Sequence, residues 1–380
     1  MHTPLSVFCA PLRYVQGPAA MTRLAAEMEA VGLAGPVLVV AGSGTIGRLA
    51  PTWAAAFAEQ GWVHRVLAFG GESSRREIAA IVAEATSLGA RAIVGAGGGK
   101  VLDAARSAAA ALRLPFVSVP TICSTDAPTS ALSVIYHDDG PQRGTVEAYE
   151  IHRRSPDLVL VDTRVIAESP PRFLAAGVGD ALSTFYEARA AVASGSPTMR
   201  GGRSTRAAFE LARLCRDVVF AHAVEALEEC RRQQAGAALE QVCEAATLLS
   251  GLGFESSGLA AAHAIHNGLT ACPETHAALH GEKVAFGTIA QLMLEAAAGD
   301  AAGPREEAER VAALCVRLGL PVTLGQLGLA TAADLERIAV RATAAGETIH
   351  HMPFPVTVAM VVVALESADE LGRTTLAAIR

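Results

Sequence analysis

Three short stretches in the second half of the chain concentrate groups that can bind a divalent cation. They are Gly177-Val178-Gly179-Asp180, the run from Gly258 to Gly268 with His263 and His266, and the run from His276 to Lys283 with His280 and Glu282. Two imidazoles and one carboxylate form a ligand set that leaves a coordination position open for a substrate oxygen, as on catalytic zinc. Spacing does not assign the ligands, because His263 and His280 are well separated and Asp180 lies far upstream. A histidine beside an alanine run is also a common hydrogen-bonded core residue, so on residue types alone both readings stand. His276 reads as structural.

A second chemistry sits in the first half. Two glycine-rich turns follow β-like runs: Gly42-Ser43-Gly44-Thr45-Ile46-Gly47 and Gly95-Ala96-Gly97-Gly98-Gly99-Lys100. Bare glycines let a backbone approach a pyrophosphate, and the N-terminus of the helix that follows favours negative charge. Lys100 adds a point charge. The second turn is not a Walker loop, since Val94 and Val101 stand where that motif needs Gly and Ser or Thr. The first turn matches G-x-G-x-x-G but reads more readily as a plain glycine turn that packs a helix against a strand; Glu72 is the one candidate for its acidic ribose partner, loosely placed.

These groups need a scaffold. The 380 residues exceed one ordinary core, and about 150 residues per domain suggests two. Strand-like runs at Pro36–Ala41, Trp62–Phe69, Arg91–Gly95, Pro115–Val119 and Asp157–Asp162 alternate with helical segments such as Arg75–Leu88 and Leu102–Leu112. That alternation predicts parallel βαβ units, with ligands at the carboxyl ends of the strands. After Thr163 the texture changes to long Ala, Leu, Glu and Arg segments, which predicts helices. Tyr136–Arg154 is polar and reads as a long loop or hairpin.

Composition narrows the classes. With 31 basic and 38 acidic residues the net charge is −7, which argues against nucleic-acid and anionic-membrane partners. The longest uncharged stretches, 30–47, 256–273 and 348–365, are broken by Gly, His or Pro and read as core, not membrane spans. No signal peptide is apparent. The 7 cysteines are scattered without a Cys-x-x-Cys, the pattern of reduced, buried thiols in a cytoplasmic protein. Almost all the basic residues are arginine. Lys100, Lys283 and the lone asparagine, Asn267, are the exceptions, and all three fall inside the motifs above.

Taken together, Gly95–Lys100, Pro120–Tyr136, Asp157–Thr163, Gly177–Leu182, Gly251–Thr270 and His280–Gln291 make the chain recognisable. It resembles the glycerol dehydrogenase family, within the iron-containing alcohol dehydrogenase and dehydroquinate synthase-like superfamily. The resemblance implies an α/β dinucleotide-binding domain with a parallel sheet over 1–163, then an all-α metal and substrate domain over 164–380. It implies Asp180, His263 and His280 as zinc ligands and Asp126 as the carboxylate that meets the substrate hydroxyls. Gly98, Gly99, Lys100 and Asp103 would form the pyrophosphate turn. Thr121, Ser124, Ser130, Leu132 and Tyr136 would lie beside nicotinamide and ribose. His266 would stand behind the ligands or relay a proton. The implied reaction is hydride transfer between NAD(P) and a secondary alcohol of glycerol or a related diol, in a homo-oligomer.

Details of the sequence refine this expectation. Iron-type members carry a histidine four residues after the ligand aspartate; here it is Thr184, which favours zinc. A phosphorylated substrate needs several cations, but Lys283 is the one Lys or Arg between Ala245 and Pro304. That disfavours a dehydroquinate synthase-like lyase. Gly42 stands where the family usually places an aspartate on the adenosine ribose, which admits NADP beside NAD. The loop Pro141–Arg154 is longer than the family pattern, and His350-His351-Met352-Pro353-Phe354 departs from it. Another polyol, a cyclitol or a hydroxyketone is therefore the alternative substrate class.

Overall fold

The computed structural model describes residues 5–140, 144–299 and 302–379. Residues 141–143 of the long loop lie outside them. The β-branched runs of the first half form strands and the alanine-rich segments form helices. In order these are β1 (Tyr14–Gly17), α1 (Leu24–Glu29), β2 (Val37–Ala41), α2 (Ser43–Glu59), β3 (His64–Ala68), α3 (Arg75–Leu88), β4 (Ala92–Gly97), α4 (Gly99–Leu112) and β5 (Phe116–Pro120). An antiparallel pair follows, β6 (Leu132–Tyr136) and β7 (Val146–Ile151), then β8 (Leu158–Asp162) and α5 (Thr163–Ala167). The polar Tyr136–Arg154 region thus includes one strand of a hairpin.

Six strands form one parallel sheet in the order β1-β8-β5-β4-β2-β3. Every residue of β2 is buried, which requires cover on both faces. The two-residue period supplies it. Val37, Val39 and Ala41 pack with Leu24, Met28, Trp53 and Phe57, while Leu38 and Val40 pack with Ile81, Ala85, Leu102 and Ala105. From β2 the chain moves outward to β3; from β4 it moves the other way, to β5. The winding therefore reverses between β2 and β4, and such a switch point opens a crevice beyond the strand carboxyl ends. Gly42 follows β2 there, and Gly98 follows β4.

Among the described residues no strand follows Asp162. The helices are α6 (Pro171–Ser194), α7 (Arg206–Arg231), α8 (Ala237–Glu244), a single π turn (Ala245–Leu249), α9 (Ser250–Ser257), α10 (Ala261–Thr270), α11 (His280–Ala298), α12 (Ala302–Leu318), α13 (Ala332–Ala342) and α14 (Val358–Ile379). Helix α11 is buried from Gly281 through Leu294 and packs against α10, α12 and α14. No described helix is long and apolar enough to cross a membrane.

The chain divides into two units. One takes Cys9–Pro171 and Glu229–Gly251; the other takes the chain up to Phe8, Arg172–Glu228 and Leu252 onward. The expected single boundary between 163 and 164 differs from this in two ways. Helix α5 stays with the sheet because Asp162 caps it. The segment 229–251 returns to the sheet because α8 packs on α5 and β1, with Gln16 Nε2 donating to Glu240 at 2.7 Å and Tyr14 sharing a 2.8 Å hydrogen bond with Thr247.

The buried Asp162 carboxylate accepts from the backbone N–H groups of Ala19 at 3.0 Å, Met21 at 2.9 Å and Arg164 at 3.1 Å. Removing it takes away a helix cap and orphans amides at the end of β8. Asp162→Ala is predicted to lower the unfolding free energy by about 3 kcal/mol, read from denaturant titration followed by circular dichroism.

Candidate active site

In the helical unit, Asp180 lies in the middle of α6 and is 1% exposed. His280 is the first residue of α11. Glu282 fixes that helix start by accepting from the Leu279 N–H at 2.7 Å and pairing at 2.6 Å with Arg172, near the start of α6. Helices α6 and α11 then meet backbone to backbone. A methyl group at Gly281 would overlap the carbonyl oxygen of Ala176, and one at Gly179 would overlap that of Gly281. Helix α10 is drawn in likewise, since a methyl at Gly287 would lie 2.5 Å from the carbonyl oxygen of Ala262, beside His263.

These approaches bring three sequence-distant groups together. Nε2 of His280 is 3.1 Å from Oδ1 of Asp180, and Nε2 of His263 is 3.6 Å from the same oxygen. One ligand atom from each residue lies within 4.8 Å of the others, and no other such group of His, Cys, Asp or Glu occurs among the described residues. A buried carboxylate facing two imidazoles suits a divalent cation, so the donor set fits a metal.

Two further residues surround this cluster. Glu187, buried on α6, accepts at Oε1 from the N–H groups of Ala260 at 2.8 Å and His263 at 2.9 Å, while its Oε2 is 2.5 Å from Nδ1 of His263. Burial alone would raise its pKa; His263 and the backbone N–H groups outweigh burial and hold it below the ordinary glutamate value. The sequence reading missed Glu187, although it stands seven residues after Asp180, two helical turns along the same face. His266 lies behind His280, with 3.0 Å between its Nε2 and His280 Nδ1. Burial, reinforced by His280, Lys283 and His263, pushes the His266 imidazole well below its ordinary value. His276 stands apart, 3.2 Å from the Thr270 carbonyl.

In the sheet unit the two glycine turns differ. A methyl at Gly97 would lie 2.6 Å from Val101, and one at Gly98 would lie 2.8 Å from Ile122. No side chain caps α4 at Gly98. This bare backbone at an uncapped helix start fits a pyrophosphate. The first turn does not hold as a comparable loop. Residues 43–47 already belong to α2, and methyls at Gly42, Gly44 or Gly47 would meet nothing within 4 Å.

The other expected cofactor neighbours lie on α4, on the segment after β5 and on β6. Lys100 Nζ is 2.8 Å from Glu72 and 5.0 Å from the centre of the Tyr136 ring. Glu72, expected at the ribose, is thus the partner of Lys100. Asp103 instead joins α4 to β6: it accepts from Val134 N–H at 3.2 Å and pairs with Arg106 at 2.7 Å. Thr121 N–H donates to Gly97 O at 3.1 Å, and Ser130 Oγ accepts from Leu132 N–H at 3.4 Å. Ser124 and Asp126 lie on the loop between β5 and β6. That loop is held by residues the sequence reading did not single out: Ser250 Oγ donates to Asp126 Oδ2 at 2.8 Å, and Thr129 Oγ1 donates to the Thr247 carbonyl at 2.8 Å.

Residues 11–163 match the family model for iron-containing alcohol dehydrogenases. The chain is 45% identical to glycerol dehydrogenase of Escherichia coli over 96% of its own length and 96% of the relative's. It is also 45% identical to a glycolaldehyde reductase of Halobacterium salinarum, over 97% of this chain and 98% of that one. The crystal structure of glycerol dehydrogenase from Schizosaccharomyces pombe matches with a TM-score of 0.92 and 34% identity, covering 100% of this chain and 94% of that one. This chain belongs to the glycerol dehydrogenase family of iron-containing alcohol dehydrogenases. It is an alcohol oxidoreductase. Thr184, on α6, is a buried packing residue, so close to Gly253 that a methyl there would lie 2.6 Å from it.

The ligand cluster is testable without turnover. Asp180→Asn and His263→Ala are predicted to lose divalent-metal retention on dialysis, measured by elemental analysis, with the circular dichroism spectrum unchanged. Gly281→Ala should lower the unfolding free energy by about 1–3 kcal/mol as α6 and α11 are forced apart, and metal content should fall with it.

Proposed function

We propose that this oxidoreductase transfers hydride between NAD(P) and a secondary hydroxyl of glycerol or a similar vicinal diol, with zinc at Asp180, His263 and His280. The observation that carries the reading is the convergence of these three ligand groups from α6, α10 and α11. In the oxidative direction a C–H hydride passes to the nicotinamide ring, the hydroxyl proton leaves to solvent, and a ketone remains. A bound zinc would supply Lewis acidity that lowers the pKa of the substrate hydroxyl. Zinc, rather than iron, is supported by Thr184 and by the set of two imidazoles and one carboxylate.

The chain's own residues supply position. Gly98 and Gly99 admit the pyrophosphate to the start of α4, and Lys100 offers it a charge. Thr121, Ser124, Ser130, Leu132 and Tyr136 line nicotinamide and ribose. Asp103 acts indirectly, by holding β6 against α4. Asp126, oriented by Ser250, would accept a hydrogen bond from the second hydroxyl of a diol. His266 supports His280 from behind. Self-association belongs to the same reading, as Leu5 and Phe8 leave large apolar side chains exposed. So does a cytoplasmic setting, which suits free cysteines.

A second reading keeps the chemistry and changes the substrate to a small hydroxyaldehyde. The glycolaldehyde reductase of Halobacterium salinarum is as similar to this chain as the glycerol dehydrogenase of Escherichia coli.

The deciding experiment measures initial rates on chelator-stripped enzyme, with and without zinc, using glycerol with NAD⁺ or NADP⁺ in one direction and glycolaldehyde with NADH or NADPH in the other. Zinc-dependent reduction of cofactor by glycerol supports the first reading; activity confined to glycolaldehyde supports the second. A side chain fits at Gly42 without contact, so Gly42→Asp is predicted to lower kcat/KM for NADP⁺ about tenfold while that for NAD⁺ holds. Tenfold corresponds to about 1.4 kcal/mol of like-charge cost against a 2′-phosphate.

A further inference from the structure

The lone asparagine of the chain, Asn267, lies one residue from His266 and takes no part in the proposed reaction. Its amide joins a line of hydrogen bonds. Asn267 Nδ2 donates to Glu347 Oε2 at 2.9 Å, and Asn267 Oδ1 lies 3.1 Å from His266 Nδ1. His266 Nε2 is 3.0 Å from His280 Nδ1, and His280 Nε2 faces Asp180. Glu347 Oε1 is paired with Arg341.

The donor and acceptor inventory gives this line a direction. A carboxylate accepts only, so Glu347 draws the NH₂ of Asn267 and turns its oxygen toward His266. His266 Nδ1 must then carry hydrogen. A neutral imidazole has one N–H, so His266 Nε2 is an acceptor and His280 Nδ1 must be the donor. The remaining nitrogen of His280, Nε2, is left with its lone pair toward Asp180. Glu187 does the same for His263 in one step: it accepts from Nδ1–H and leaves Nε2 bare on the Asp180 side.

We propose that Glu347, acting through Asn267 and His266, and Glu187, acting directly, are positioning residues that fix which nitrogen of His280 and of His263 faces the metal. The inference rests on the metal reading given under Proposed function. Under it, Asp180 Oδ1 and the two Nε2 atoms are three acceptors turned on one another, an arrangement that a divalent cation satisfies and hydrogen bonds among the three do not. An asparagine is needed in the line because its amide offers one acceptor and one donor end in fixed relation. An arginine or a carboxylate offers only one kind.

Two isosteric variants reverse the direction. In Glu187→Gln the amide oxygen stays on the two backbone N–H groups, so the NH₂ meets His263 Nδ1 and moves the ring hydrogen to Nε2. In Glu347→Gln the oxygen stays on Arg341, the NH₂ turns the Asn267 amide over, and the reversal passes through His266 to place hydrogen on His280 Nε2. The test is nitrogen-15 NMR of ring-labelled histidine in the full-length metal-free protein, with zinc affinity measured by chelator competition. Wild type should show Nδ1–H on both rings. Glu187→Gln should switch His263 alone and Glu347→Gln His280 alone, each weakening zinc about 10–100-fold. Unchanged tautomers in both variants, or Nε2–H rings in wild type, would overturn the proposal. Correct tautomers in a wild type that binds no zinc would overturn the metal reading instead.

Discussion

The helical unit depends on one constraint, the contact of helix backbones at glycines. Asp180, His263 and His280 come from three helices and are far apart in sequence. They meet because no side chain stands between α6 and α11 at Gly179 and Gly281, or between α11 and α10 at Gly287. At these points the separation of the helices is set by backbone atoms, which do not repack. Flexible side chains at such positions would leave the ligand spacing to rotamer choice. The burial of α11 from Gly281 to Leu294 follows from the same closeness, because a helix approached by α10, α12 and α14 has little free face.

Close approach also puts charge in a dry place, and the unit answers with connected hydrogen bonds. Glu187 is buried completely, yet each of its oxygens is engaged. Glu282 ties the start of α11 to Arg172 while capping that helix. The sheet unit uses glycine for a different purpose. At Gly97 and Gly98 a methyl would meet the side chains of Val101 and Ile122, and no side chain caps the helix that starts at Gly99, a start that suits an anion.

Much of this was legible in the sequence because it is local. Alternating strand and helix patterns fixed the α/β half, and β2 read as a strand because all five of its residues are apolar. The strand β1 escaped notice. Its four residues, Tyr14–Gly17, are all half-buried and carry no apolar alternation. The G-x-G-x-x-G match at 42–47 is no phosphate loop, because a helix can begin on such a sequence with no tight turn, and nothing crowds its glycines. The metal-binding motifs could be recognised, whereas their supports could not. Glu347 lies 80 residues from Asn267, and Glu187 lies 76 from His263; only the fold relates them. Glu187 alone left a trace, in its helical spacing from Asp180.

The return of residues 229–251 to the sheet has a consequence for how the protein is made. The loop that carries Asp126 is anchored by Ser250, 124 residues later in the chain, and by Thr247 at the π turn. A ribosome adding roughly 5–20 residues per second reaches that anchor on the order of ten seconds after it has passed the loop. All six strands of the sheet are already synthesised by Asp162. The nascent chain can therefore hold all six strands while the loop that carries Asp126 is still without its supports, and cutting the chain after residue 163 would keep that state permanently.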